Sequence, residues 1–371
     1  MLVAFDDKAT LEAALAFEAA LARAEAAEKL IPAAAAAAIV RACATIAIDA
    51  AELADETALA GTLAIPLVAR LRQVLADDPA VAKAVHHGAT SQDLADTVLM
   101  SQARVAVGLL DADLARLAAA LSPLAERYGA VPAIGRTLLQ DALPIGFGLR
   151  IAQWLAGIAS ARARLAREAA TAVALQLGGA AGTRAGLAGK GQQVAARMAA
   201  ELGLVSPPGP WHSRRDGVAG LATALGIAIG AMAKMARDVA LLAQNAIGEA
   251  REPAVPGRGG SSAMAHKRNP TGCGVALAAA VRAPGLVAGV LAGMAQEEER
   301  GLGGWQAEGP ALAELFMLAA GAAEAMACVA EGLDIDDAAI ARNLAQAGLG
   351  HDIGESQAIV AALIAAYRSS S

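Results

Sequence analysis

Apolar residues recur with helical spacing over most of this chain. From about Thr10 to Lys29, Leu11, Leu15 and Ala19 are read on one face with Glu12, Arg23 and Glu25 outside, which predicts an amphipathic first helix. Pro32 stands where a first helical turn tolerates proline, so a second helix is expected there. Asp77-Asp78-Pro79 marks a break, and Thr90-Ser91-Gln92-Asp93 has the order of a capping box opening another helix. From Asp93 to Glu331 long apolar helical stretches dominate, with breaks predicted at Ser122-Pro123, Val131-Pro132, Ser206 to Pro210 and Pro253 to Ser262. Asn269-Pro270 reads as a helix cap and first helical residue, and Glu331 to Asp334 as the last boundary before one or two short helices. No alternating run of β-branched and aromatic residues occurs, so no strand is predicted. The expected fold class is all-α. Its expected parts are an N-terminal helical domain (1–90), a central long-helix bundle (91–330) and a shortened C-terminal helical domain (331–371).

Composition narrows this picture. A chain of 371 residues can bury a large core, and with 56% hydrophobic but only 2% aromatic residues that core must be built from Ala, Leu, Val and Ile. A formal net charge of −6 argues against a nucleic-acid partner. Cys43, Cys273 and Cys328 are odd in number and lack CxxC spacing, which fits a reducing compartment and neither a disulfide framework nor a zinc site. The first residues turn acidic too early for a secretory signal, so a cytoplasmic location is expected. Gly217 to Ala233 is apolar apart from Thr223 and nearly long enough to span a bilayer. It runs into Lys234, Arg237 and Asp238, and Gly226 and Gly230 suit close helix approach, so a buried bundle helix is predicted rather than a span.

Candidate chemistry concentrates in one glycine-rich loop. Pro256-Gly257-Arg258-Gly259-Gly260-Ser261-Ser262 allows tight turns whose successive N–H groups can form an anion nest, followed by Lys267, Arg268 and a helix N-terminus. A serine there can be stabilised as an oxyanion without a Ser-His-Asp triad. Two other motifs fail: Arg184 and Gly191 break a P-loop reading of Gly182 to Gly191, and Ala263 breaks a GxSxG elbow. His86-His87 precede the helix start at Thr90, Ser91 and Asp93, with no spacing that suggests a metal. Gly135 to Asp141 and Trp211 to Asp216 each place arginine among polar residues. A bound carboxylate and an ordinary salt bridge or solvated turn explain these two segments equally well.

Gly260-Ser261-Ser262-Ala263-Met264-Ala265-His266-Lys267-Arg268-Asn269-Pro270 resembles the mobile catalytic loop of the fumarase/aspartase superfamily. Phe17 to Ala24, His86 to Thr97, Gly135 to Gln140, Gln176 to Thr183, Pro210 to Asp216 and Glu299 to Trp305 follow in that group's order. The Trp211 and Trp305 segments are similar to its cycloisomerase branch, whose members lactonize a carboxymuconate. The resemblance implies a three-domain helical fold, a homotetramer with active sites shared between subunits, a polycarboxylate substrate and no metal or organic cofactor. It implies catalytic roles for Ser261, Lys267 and His86, with Thr90, Ser91, Arg136, Gln140, Arg215, Ser262, Met264 and Asn269 at the substrate. Relatives that expel an amine use a histidine after the Arg-Thr pair, where this chain has Leu138. A cycloisomerase makes or breaks a bond to a carboxylate of pKa roughly 4 and needs no such acid. An adenylosuccinate-type C–N lyase and an inactive helical scaffold are the alternatives. The chain departs from the pattern at Ala265, where proline is usual, at Gln306 and Gly309 after Trp305, and at Asp141, an extra carboxylate near the substrate segment. The third domain is expected to be short, about 40 residues.

Overall fold

Asp6 opens the first helix, α1 (Asp7–Ala27), by accepting a 2.7 Å hydrogen bond from the Ala9 N–H. The helix forms where expected, but its buried face is not the predicted one. Phe17, Leu21 and the small residues between them are enclosed together with Glu18 and Glu25, while Leu11 and Leu15 stay partly exposed, so the expectation that Glu25 lies outside is corrected. Four short helices follow: α2 (Ala33–Thr45), which Pro32 caps, α3 (Ala50–Ala60), α4 (Ala64–Val74) and α5 (Pro79–Ala84). The break at Asp77-Asp78-Pro79 is the start of α5, with the Asp78 carboxylate accepting from the N–H groups of Ala80 and Val81. The structure is a computed structural model that describes residues 1–264 and 267–370, so the expectations attached to Ala265 and His266 lie outside the described residues.

Long helices carry the rest: α6 (Ser91–Tyr128), α7 (Phe147–Ala172), α8 (Gly191–Leu202), α9 (Asp216–Leu242), α10 (Thr271–Ala292) and α11 (Gly304–Glu331). Two short ones, α12 (Asp337–Gln346) and α13 (Ser356–Ser370), follow the last predicted boundary. Pro123 does not break α6 as expected; the helix continues to Tyr128 with the proline inside it. The helical reading is therefore right in class, and the described fold is all-α apart from short two-stranded pairings.

Those pairings correct the expectation of no strand. β1 (Pro132–Thr137) pairs antiparallel with β2 (Gln140–Gly146), and β3 (Ala250–Arg251) pairs with β4 (Asp334–Ile335). Their sequences carry no alternation signal, and Pro144 inside β2 argues against a strand by composition. Gly135 allows the bulge between Ile134 and Arg136, since a Cβ there would lie 2.7 Å from the Leu143 carbonyl oxygen.

The chain divides into two compact units built from interleaved segments. The first comprises 1–108, 167–222 and 288–313, and the second 109–166, 223–287 and 314–371. In the first, α1 packs on α2 and α8 around Phe17, Leu21, Ile39, Leu67, Leu71, Val194 and Met198, all essentially enclosed. The second is centred on Leu114, Leu121, Phe147, Ile151, Met235, Phe316 and Ile340, with Tyr128 set edge-on to Phe147 at 5.9 Å. Each such side chain contributes about 1.5–3 kcal/mol by leaving water, so aliphatic packing suffices where aromatics are scarce.

By length and composition alone, α9, α10 and α11 could each cross a membrane, with 56%, 22% and 56% of their apolar windows buried in the chain. Gly226 of α9 lets Val287 come within 3.0 Å of where a Cβ would stand, while Gly230 has no such neighbour.

Candidate active site

The residues singled out from the sequence divide between the two units. His86, Thr90, Ser91 and Arg215 belong to the first; Arg136, Gln140, Ser261, Ser262, Met264, Lys267 and Asn269 belong to the second.

In the first unit, α1 aims two buried carboxylates at two consecutive histidines. Glu18 Oε1 lies 2.6 Å from His86 Nδ1, and Glu25 Oε1 lies 2.6 Å from His87 Nδ1. The seven-residue spacing of Glu18 and Glu25 puts both on one face of the helix. His86 takes a left-handed backbone (φ 60), a conformation that separates the two imidazoles, and Gly88 (φ 68) turns the chain again. Gly88 has no room for a side chain: a Cβ would meet Leu187 Cδ2 at 2.4 Å. Burial works against a charged His86, but the Glu18 carboxylate, with Asp93 farther off, outweighs it and holds the imidazole above its ordinary range. For Glu25 burial wins over the opposing pull of His87, and the carboxyl is pushed up to about 7.

Asp93 organises the adjoining turn. Its carboxylate accepts from the backbone N–H of Thr90 (2.9 Å), Gly178 (2.8 Å) and Gly179 (2.9 Å), and it contacts His212 Nε2 at 2.7 Å. One half of the predicted capping box is thus present, the Asp93 carboxylate reaching back to the Thr90 N–H, while the Asp93 N–H donates to the Thr90 carbonyl rather than to its hydroxyl. The same carboxylate ties down Gly178 and Gly179. Thr90 Oγ1 accepts a 2.6 Å bond from Arg300 Nη1, while Ser91 begins α6.

Arg215 corrects the sequence reading. The resemblance puts it at the substrate, yet it is enclosed between Asp96, reached at 2.9 and 2.8 Å, and Glu308, and its guanidinium lies 4.7 Å from the Trp211 ring centroid. Burial opposes the charge, but the two carboxylates hold the guanidinium firmly protonated. A cation paired with two carboxylates and this deeply enclosed organises the core and is shielded from a ligand by its burial.

In the second unit, the glycine-rich loop is closed at its foot. Asn269 N–H donates to the Gly259 carbonyl (2.8 Å), Asn269 Nδ2 donates to the Gly260 carbonyl (3.2 Å), and Gly259 is left-handed (φ 71). A Cβ on Gly259 would stand 2.6 Å from the Asn269 carbonyl oxygen, so the closure requires glycine. Ser261 Oγ accepts from the N–H groups of Ala263 (3.3 Å) and Met264 (3.1 Å), which places two donors on the hydroxyl oxygen. Ser262, Met264 and Lys267 are exposed on the same loop, and the Lys267 N–H closes a turn onto the Met264 carbonyl at 3.0 Å.

Two expectations about this loop change. Asn269 does not cap α10, which starts at Thr271; its side chain serves the loop closure instead. The N-terminus of α10 is not open to an external anion, because Glu252 accepts from the N–H groups of Gly272 (3.0 Å) and Cys273 (2.7 Å).

Arg136 sits on β1 and forks onto the buried carboxylate of Glu249 at 3.0 and 2.7 Å, with Asp141 Oδ1 3.4 Å from its Nε. The salt-bridge reading of that segment is the one realised, and the extra carboxylate of Asp141 has a cation beside it. Gln140 is exposed at the start of β2. A cavity of 1240 Å³ lies beside this hairpin, bordered by Arg136, Leu143, Arg150, Trp154, Lys234 and Arg237. Gln306, standing where histidine is usual, accepts from the Gly303 N–H at 2.9 Å at the start of α11, and Gly309 adjoins open space. Glu18, Glu249, Glu252 and the His212–Asp93 contact were missed in the sequence, where isolated acidic residues on helices and in loops look like any solvated charge.

Comparison with known proteins bears on this geometry. Residues 1–285 match the family described as lyase. The chain is 48% identical over 345 residues to the 3-carboxy-cis,cis-muconate cycloisomerase of Bradyrhizobium diazoefficiens, covering 93% of this chain and 76% of that protein. It is 46% identical over 364 residues to the enzyme of the same name from Pseudomonas aeruginosa, covering 98% of this chain and 79% of the other. The crystal structure of the 3-carboxy-cis,cis-muconate lactonizing enzyme from Pseudomonas putida matches with a TM-score of 0.90 at 36% identity, covering 99% and 96% of the two chains. With more than half of its residues matched and relatives this similar, the chain belongs to the lyase family.

Proposed function

We propose that this protein is a cycloisomerase that interconverts 3-carboxy-cis,cis-muconate and 4-carboxymuconolactone, a step of aromatic catabolism in the cytoplasm. The observation that carries the reading is the serine of the closed loop, whose Oγ receives the N–H groups of Ala263 and Met264. In the lactonizing direction one substrate carboxylate attacks the double bond, and negative charge develops on the neighbouring carboxylate as an enolate-like dianion. Lys267 and loop N–H groups are suited to that charge, and the Ser261 hydroxyl delivers its proton to carbon. The alkoxide left behind is what two N–H donors on Oγ stabilise. No group needs to protonate a departing amine, which agrees with Leu138 holding the place after Arg136-Thr137. His86, Thr90, Ser91, Gln140, Ser262, Met264 and Asn269 complete the proposed substrate contacts, with Arg136 available only in competition with Glu249.

The same reading includes a homotetramer of three-domain chains, its sites drawing residues from more than one copy. Val275, Val281 and Leu291 of α10 are exposed in the single chain, and apolar side chains left in water around a helix suit burial against further copies. Incubation with 3-carboxy-cis,cis-muconate tests the function through loss of diene absorbance. Unchanged absorbance at high enzyme concentration, with fumarate released from adenylosuccinate instead, would replace this reading by the C–N lyase.

A further inference from the structure

His86 is gripped from one side only. Its Nδ1 meets Glu18 Oε1 at 2.6 Å, its ring lies 6.3 Å from that of Phe17, and no partner of its Nε2 is found among the described residues. Glu18 is enclosed, and its second oxygen, Oε2, is buried with no hydrogen-bond partner among the described residues. A buried carboxylate with a single partner is strongly destabilising unless that partner carries the compensating charge. The other groups that face His86 are Asp93 from α6, which favours its charge, and Arg72 from α4, which opposes it; Glu25 lies nearby on α1. Arg72 is itself turned to the backbone, donating to the Val85 carbonyl at 3.0 Å and so fixing the residue before His86.

We propose that Glu18 is a positioning residue: it holds His86 as a cation with Nδ1–H bound, leaving Nε2–H as the donor to a substrate carboxylate. This rests on the reading of His86 as a substrate-site residue and deepens it, since it supplies the reason an enclosed histidine stays charged. His86 holds its contact with Glu18 from a left-handed backbone (φ 60), a conformation uncommon outside glycine. The adjacent Glu25–His87 pair differs, because there burial prevails over the imidazole's pull and pushes the carboxyl up to about 7.

Nitrogen-15 NMR of the histidine rings, recorded from about pH 5 to 9 on the wild type and Glu18→Gln, tests this. Wild-type His86 is expected to titrate above its ordinary range with Nδ1 protonated, and in Glu18→Gln to move down by about 1–3 pH units. Propane-1,2,3-tricarboxylate serves as the binding probe by calorimetry. Glu18→Gln is expected to weaken it by about 10- to 100-fold near neutral pH, with KM for the muconate rising more than kcat falls. His86→Gln should weaken the probe similarly, and adding Glu18→Gln to it should have little further effect. A wild-type His86 that is neutral at pH 7, or a titration unaltered in Glu18→Gln, overturns the proposal. If Glu18→Gln does not fold, the wild-type titration and the His86→Gln binding loss decide alone. The ring titration needs no turnover, so its failure is distinguishable from failure of the cycloisomerase reading, which would show as absent muconate conversion with both NMR results intact.

Discussion

Glu25 carries an enclosed carboxyl that burial pushes up to about 7 against the pull of His87, and this has a pH signature. Because its pKa in the folded state lies above the ordinary value, its contribution to stability is fully present below about pH 4.5 and is lost as pH rises through about 7. The difference amounts to at most about 3 kcal/mol. Glu25→Gln, neutral at every pH, should therefore show a smaller fall in urea midpoint between about pH 5 and 8 than the wild type. Equal falls in the two proteins would contradict the assignment. Little of this was legible in the sequence, since Glu25 reads there as a solvated residue on the outer face of α1, and its enclosure depends on the residue 85–93 turn folding back over the helix. Ser261 is the opposite case: its glycine-rich surroundings and ordered neighbours announce it without a structure. Arg215 stands between them, correctly noticed as special but enclosed by Asp96 and Glu308, whose distance in sequence hides the pairing.

At the scale of elements, the helices follow from apolar periodicity and from caps such as Asp6, Asp78 and the Thr90–Asp93 half-box. The β1–β2 hairpin does not. Its turn is formed by Leu138 and Leu139, both left-handed (φ 51 and 64) and 93% and 82% exposed, where asparagine and glycine are the usual occupants. No local rule selects two leucines for that turn, which is why the sequence pattern does not announce it. Giving the turn its usual occupants is not a neutral change: Leu138→Asn together with Leu139→Gly should raise stability by about 1–2 kcal/mol in thermal melts. A loss of stability would show that the leucines support the hairpin itself. Pro144 and the Gly135 bulge hide the strand for a similar reason: they are tolerated because of the pairing partner, which the linear pattern does not contain.

For the whole molecule, family membership and helical class were readable from one loop and the order of its companion segments, while the interleaving of the two units was not, because long helices contribute to both. The proposed homotetramer, for which Val275, Val281 and Leu291 of α10 leave apolar surface to bury, is expected as four copies in light scattering, and a monomer at working concentration would remove the shared-site architecture. The central claim concerns chemistry: Ser261, on a loop closed by Gly259 and Asn269, is the proton donor of a lactonization. The most direct measurement compares wild type and Ser261→Ala converting 3-carboxy-cis,cis-muconate, with circular dichroism establishing that both are folded. The expected result is conversion by the wild type and a kcat lower by about 10²–10⁴-fold in Ser261→Ala. Near-equal turnover in the two proteins, or no turnover by the wild type, would contradict it.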